Sequence, residues 1–102
     1  MNTVIETNIF STKASKVWTP NQYEDFVIYI ANNPLGGEVV PGSGGVRKIR
    51  WRSKGAGKRG GVRIIYFNSE IEETWLLTMY SKNEREVIPA HELKKIKDAI
   101  NG

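Results

Sequence analysis

The chain contains no cysteine and a single histidine, His91. The first absence excludes a disulfide framework, thiolate zinc sites and a cysteine nucleophile together. With one histidine besides, a transition-metal centre would have to be built from carboxylates, which suits such ions poorly. No metal and no cofactor is therefore expected. A Ser-His-Asp triad would depend on His91, and nothing around it suggests a nucleophile turn; it reads as a solvated helix residue. No apolar run approaches the roughly 20 residues of a membrane span, so no membrane partner is expected. The N-terminus has Glu6 early and no basic start ahead of an apolar stretch, unlike a secretory signal. The expected compartment is the cytoplasm.

A further absence is more informative. Between Glu38 and Glu70 there is no acid, yet the stretch holds Arg47, Lys48, Arg50, Arg52, Lys54, Lys58, Arg59 and Arg63. That is +8 in one segment of a chain whose net charge is +4, so the remainder carries −4. Such blocks mark a polyanion partner or a disordered tail. Ile49, Trp51, Ile64, Ile65, Tyr66 and Phe67 are interleaved with these charges, which points to a structured basic surface for nucleic acid. A solvated basic face is the alternative.

The 102 residues suit one domain, 1–102, and 39% hydrophobic with 25% charged residues is a globular composition. Val4 to Phe10 reads as a first strand. Ser11 can cap a short helix with Phe10, Ala14, Val17 and Trp18 on one side. Thr19-Pro20-Asn21-Gln22 carries a cap, a first-turn proline and a glutamine three after the cap. Tyr23, Phe26, Val27 and Ile30 then trace one helix face, up to Pro34 and Gly36-Gly37. Glu38 to Pro41 suits a short edge strand, and Gly42 to Gly45 a turn. Val46 to Arg52 is a strand with Lys48, Arg50 and Arg52 on one face and Ile49 and Trp51 on the other. Ser53 to Gly61 is a loop, and Val62 to Asn68 a strand apolar on both faces. Glu70, Glu72 and Glu73 read as a solvated turn. Thr74 to Lys82 is a further strand, Trp75, Leu77 and Met79 against Leu76 and Tyr80. Pro89 opens a final helix with Leu93, Ile96 and Ile100 buried and Lys94, Lys95 and Lys97 outside. Trp18, Trp51 and Trp75 read as core. The fold expected is α+β: a twisted, mainly antiparallel sheet of four to five strands, an N-terminal helical hairpin on one face and a C-terminal helix.

Three features carry chemistry. Lys48, Arg50 and Arg52 stand about 7 Å apart in a row, near the phosphate spacing of single-stranded RNA. Like charges on one face cost stability, which a neutralising partner offsets; an edge made soluble by charge is the plainer reading. Lys54 to Gly61 looks like a phosphate cradle but lacks the Gly-Lys-Ser/Thr ending and following helix of a P-loop. A flexible hairpin loop accounts for its glycines, though not for Lys54, Lys58 and Arg59. Arg63 sits on an otherwise apolar strand, where it must snorkel or meet an anion.

Gly44-Gly45-Val46-Arg47-Lys48-Ile49-Arg50-Trp51, then Gly57-Lys58 and Gly60-Gly61-Val62-Arg63-Ile64-Ile65-Tyr66, then Tyr80-Ser81-Lys82-Asn83-Glu84, resemble the RelE superfamily of toxins, within it the HigB-like branch. The resemblance implies a ribosome-dependent endoribonuclease, the toxin of a type II toxin–antitoxin pair. Its implied partners are mRNA on the ribosome and a cognate antitoxin, a helix-turn-helix protein that also binds operator DNA. It implies metal-free cleavage: the RNA 2′-hydroxyl attacks the adjacent phosphate and expels the 5′-oxygen, helped by a base, an acid and cations. By the same resemblance Lys48 and Arg50 are the paired basic strand residues, Arg63 the strand arginine, Lys82 the basic residue after the last strand, and Asn83 stands where some members have arginine. Those members also have a tyrosine near the last helix, where this chain reads Val87-Ile88-Pro89. The base is then sought among Tyr80, Lys54, Lys58 and Lys82, since like charges crowding a lysine lower its pKa. Arg47, Arg52 and Arg59 join Lys48, Arg50 and Asn83 as expected RNA contacts. A non-catalytic RNA- or ribosome-binding module shares these electrostatics and is the alternative function.

Overall fold

The computed structural model describes residues 1–52, 61–81 and 87–101. Its elements are β1 (Thr3–Glu6), α1 (Asn8–Val17), α2 (Pro20–Asn32), β2 (Glu38–Val39), β3 (Arg47–Trp51), β4 (Val62–Asn68), β5 (Glu73–Ser81) and α3 (Ala90–Asn101). Helix α2 starts as its local chemistry dictates. The Gln22 amide donates to the Thr19 hydroxyl at 3.2 Å and the Thr19 amide to the Gln22 side chain at 3.0 Å, a capping box with Pro20 beside it. Helix α1 starts earlier than expected. The strand ends at Glu6 and Thr7, not Ser11, is the cap. The Phe10 amide donates to the Thr7 hydroxyl at 3.1 Å, and that hydroxyl donates to the Leu77 carbonyl at 2.7 Å. One hydroxyl thus opens the helix and ties it to β5, which turns Phe10 from a strand residue into a fully buried helix residue. Helix α3 begins one residue after Pro89, whose carbonyl accepts from the Glu92 and Leu93 amides.

The five strands form one sheet in the order β1-β5-β4-β3-β2. The pairs β2–β3, β3–β4 and β4–β5 are antiparallel, and β1 joins β5 in parallel. Strand β5 departs from simple alternation. Ile65 pairs with Thr78 and Tyr66 with Leu76, so Leu77 is an extra residue. A bulge of this kind shifts the two-residue period. The expected grouping is corrected accordingly: Trp75, Leu77 and Tyr80 share one face, and Leu76 and Met79 face the other way.

The sheet separates two apolar layers. On one side α1 and α2 supply Phe10, Ala14, Trp18, Phe26 and Ile30 against Val62, Ile64, Tyr66, Leu76 and Met79. Trp51 closes this layer, its ring centroid 5.2 Å from Phe26 and 4.9 Å from Tyr29. On the other side α3 lays Leu93, Ile96 and Ile100 on Val46, Ile65, Leu77, Tyr80 and Trp75. The α+β architecture, with the helical hairpin on one face and a C-terminal helix, is the one expected; the last helix packs on the opposite face. Two charged residues depart from expectation. Lys97 is turned inward: its ammonium lies 5.2 Å from the Phe67 ring centroid and donates to the Gly44 carbonyl at 3.1 Å, because a cation is held by an aromatic face and a carbonyl together. Glu73 is the first residue of β5 and accepts from the Trp75 indole at 3.3 Å. Among the described residues, no helix is long and apolar enough to cross a membrane.

Candidate functional site

The site is a consequence of strand phase. Lys48 and Arg50 alternate with Ile49 and Trp51 along β3, and the latter pack under the helical hairpin. The two cations therefore project on the α3 side. The ladder continues the arrangement across the sheet: Arg50 stands opposite Arg63, and Arg63 opposite Tyr80. One step along, Glu38, Lys48, Ile65 and Thr78 form the next row. Adjacent strands lie about 4.8 Å apart, so Arg50, Arg63 and Tyr80 span about 10 Å of backbone. Arg63 has a paired strand on each side, which fixes where its side chain begins.

Exposure grades across this row. Arg50 is exposed, Arg63 half-buried and Tyr80 only 2% exposed. Tyr80 belongs to the apolar layer with Ile88 and Leu93, so α3 covers the row at the tyrosine and leaves it open toward Arg50. Two guanidinium groups on neighbouring strands give a planar, multi-donor surface suited to phosphate oxygens. The phase of the bulge is what brings Tyr80 to Arg63. Strict alternation from Trp75 would have sent Tyr80 under the hairpin and Met79 to this face.

Arg47 is not part of this surface. The period that groups Lys48 with Arg50 places Arg47 on the hairpin side, opposite Tyr66. Its guanidinium donates to the Gly37 carbonyl at 2.7 Å and reaches the Leu35 carbonyl at 3.5 Å. Around it the Tyr66 hydroxyl accepts from the Gly37 amide at 2.8 Å and donates to the Pro34 carbonyl at 2.9 Å. Asn68 donates to the same carbonyl at 2.8 Å and accepts from Thr74 at 2.8 Å. Burial raises the Tyr66 pKa above the ordinary 10.0, against the opposing effects of the Gly37 bond and the Arg47 charge. Arg47 thus clamps the segment between α2 and β2. The signal was present in the sequence, because Arg47 has the parity of Ile49 and Trp51.

Arg52 is exposed just beyond β3, and its carbonyl accepts from the Trp18 indole at 2.5 Å. At Gly61 a Cβ would come within 2.9 Å of the Trp51 carbonyl, so glycine allows the chain to re-enter the sheet there. Lys54, Lys58 and Arg59 lie outside the described residues, as do Lys82 and Asn83, which follow Ser81 in sequence. His91 is exposed on α3.

No protein-family model matches the chain. Among the described residues no group of three or more histidine, aspartate and glutamate side chains could hold a metal ion. Among the described residues, Lys48, Arg50 and Arg63 share this face of β3 and β4.

Proposed function

We propose that the protein is a ribosome-dependent endoribonuclease, the toxin of a type II toxin–antitoxin pair of the RelE kind, HigB-like branch, which cuts translated mRNA and is neutralised by a cognate antitoxin. The observation that carries this reading is the row Arg50–Arg63–Tyr80 beside Lys48, on the sheet face that α3 leaves partly open. It adds to the motif series that resembles that family.

The reaction needs no group beyond side chains. The 2′-oxygen of one nucleotide bonds to the adjacent phosphorus and the bond to the 5′-oxygen breaks, leaving a 2′,3′-cyclic phosphate and a 5′-hydroxyl. One proton leaves the attacking hydroxyl for a base, and one reaches the departing oxygen from an acid. Negative charge grows on the phosphate between these events. Arg63, held on a central strand, is preorganised to take it, with Arg50 as its neighbour. Lys82, Lys54 and Lys58 are proton-transfer candidates. Tyr80, opposite Arg63 in the ladder, is the remaining candidate.

The test is primer extension on an mRNA being translated, with wild type and Arg63→Ala. Wild type should produce cuts within codons. Arg63→Ala should lose on the order of 10²–10³ in rate while still co-sedimenting with ribosomes, as for one preorganised donor removed from a transition state. Cleavage by Arg63→Ala at the wild-type rate once bound would assign the surface to RNA binding without catalysis. Absence of cuts with wild type would overturn the proposal.

A further inference from the structure

Glu38 is directly opposite Lys48 across the β2–β3 pair, on the same face as Arg50 and Arg63. It is exposed and Lys48 half-buried. Its position is set by a rigid neighbour. The Gly37 amide is held by the Tyr66 hydroxyl at 2.8 Å and the Gly37 carbonyl by Arg47 at 2.7 Å. A Cβ at Gly37 would lie 2.8 Å from the Lys48 carbonyl and 2.9 Å from the Tyr66 ring. The chain therefore enters β2 at a fixed point and delivers a carboxylate onto the outer end of the basic face.

An opposite charge directly across an antiparallel pair attracts its partner. It also competes with any phosphate that the partner would bind. Since electrostatic contacts supply most sequence-independent RNA affinity, one acid in the row lowers affinity for any RNA whose phosphates reach Lys48. We infer that Glu38 restrains Lys48 and sets the affinity of the basic face, weakening its capture of free RNA. This rests on the reading of that face as an RNA surface.

The experiment measures binding of a short labelled single-stranded RNA at several salt concentrations, for wild type, Glu38→Gln, Lys48→Gln and the double variant. Glu70→Gln, a neutralised acid in the exposed turn before β5, controls for net charge. Glu38→Gln should bind about two- to fivefold more tightly at low salt, the range expected when one exposed opposing charge beside a cation is removed. The gain should vanish when Lys48 is already neutral, and Glu70→Gln should not reproduce it. Unchanged affinity in Glu38→Gln overturns the inference, as does an equal gain in the Lys48→Gln background or in Glu70→Gln. Wild type that binds no RNA at any salt overturns the reading beneath it as well, so the two failures are distinct. Circular dichroism of each variant checks folding, which an exposed residue on a two-residue strand leaves intact.

Discussion

Arg50 and Arg63 are direct cross-strand partners in the antiparallel β3–β4 ladder, so two positive side chains share one face with a backbone separation of about 5 Å. Such a pair opposes folding and favours anion binding at once. Replacing either by glutamine should raise stability by a few tenths to about 1 kcal/mol. The gain should shrink as salt screens the repulsion. Urea unfolding of Arg50→Gln at low and high ionic strength measures it. A loss of stability would mean that Arg50 is held by attractive contacts.

Arg47 and Arg50 are three residues apart and should behave oppositely. Arg47→Ala removes a clamp on the Gly37 carbonyl and should lower stability by about 1–3 kcal/mol, leaving the salt dependence of RNA binding unchanged. Arg50→Ala should reduce the slope of log K against log salt by about 0.7, the value for one phosphate on a single strand. Parallel titrations and denaturation curves separate the two. A smaller slope in Arg47→Ala would place both on one path.

The Tyr66 hydroxyl, at the centre of the same clamp, should be worth about 1–3 kcal/mol, because Tyr66→Phe leaves the buried Gly37 amide without its acceptor. There is also a signature in pH. Burial raises the folded-state pKa above the ordinary 10.0. The stabilisation linked to the neutral phenol is complete below pH 10 and is lost as pH climbs past that value toward the folded one. The wild-type stability curve should therefore fall more steeply above pH 10 than that of Tyr66→Phe. Identical slopes would show that this phenol ionises equally in both states.

Glu72 is a non-glycine residue with a φ of 61°, a left-handed conformation that costs an L-residue roughly 1–2 kcal/mol. Its carbonyl accepts from the Thr3 amide at 3.0 Å, so the turn is held by β1. Glu72→Gly should stabilise by about 0.5 kcal/mol, the relieved strain exceeding the added entropy of the unfolded chain. A small rise in melting temperature is the expected readout, and a fall would mean that the side chain makes a favourable contact.

Local chemistry and the antiparallel pairing of neighbouring strands were legible; the bulge and the parallel edge strand were not. The start of α2 could be read because Thr19, Pro20 and Gln22 satisfy one another within a single turn. The faces of β3 could be read because its two sides differ in polarity. Strand β5 is apolar on both sides, so nothing in its composition marks Leu77 as the residue that shifts the phase. Nothing local marks Thr7 over Ser11 as the cap of α1, because its second partner, the Leu77 carbonyl, is distant in sequence. Parity alone would have separated Arg47 from Lys48 and Arg50. Of the expected site, Arg63 and Tyr80 come together through the bulge, with Arg50 beside them.

The parallel pairing of β1 with β5 has a consequence for the order in which the molecule can be made. Thr7 and the Leu77 carbonyl it bonds are separated by 70 positions, and β1 has its ladder only with residues 73–76 of β5. A ribosome releasing the chain from its N-terminus produces β1 and the helical hairpin well before the strand they rest on. The β3–β4 hairpin can close early from local contacts. The first strand, the first helix and the tyrosine end of the arginine row must wait until almost the whole chain has emerged, since contacts this far apart in sequence form late and slowly. A chain cut short before Glu73 would carry most of the cations but neither strand β5 nor the geometry that aligns them.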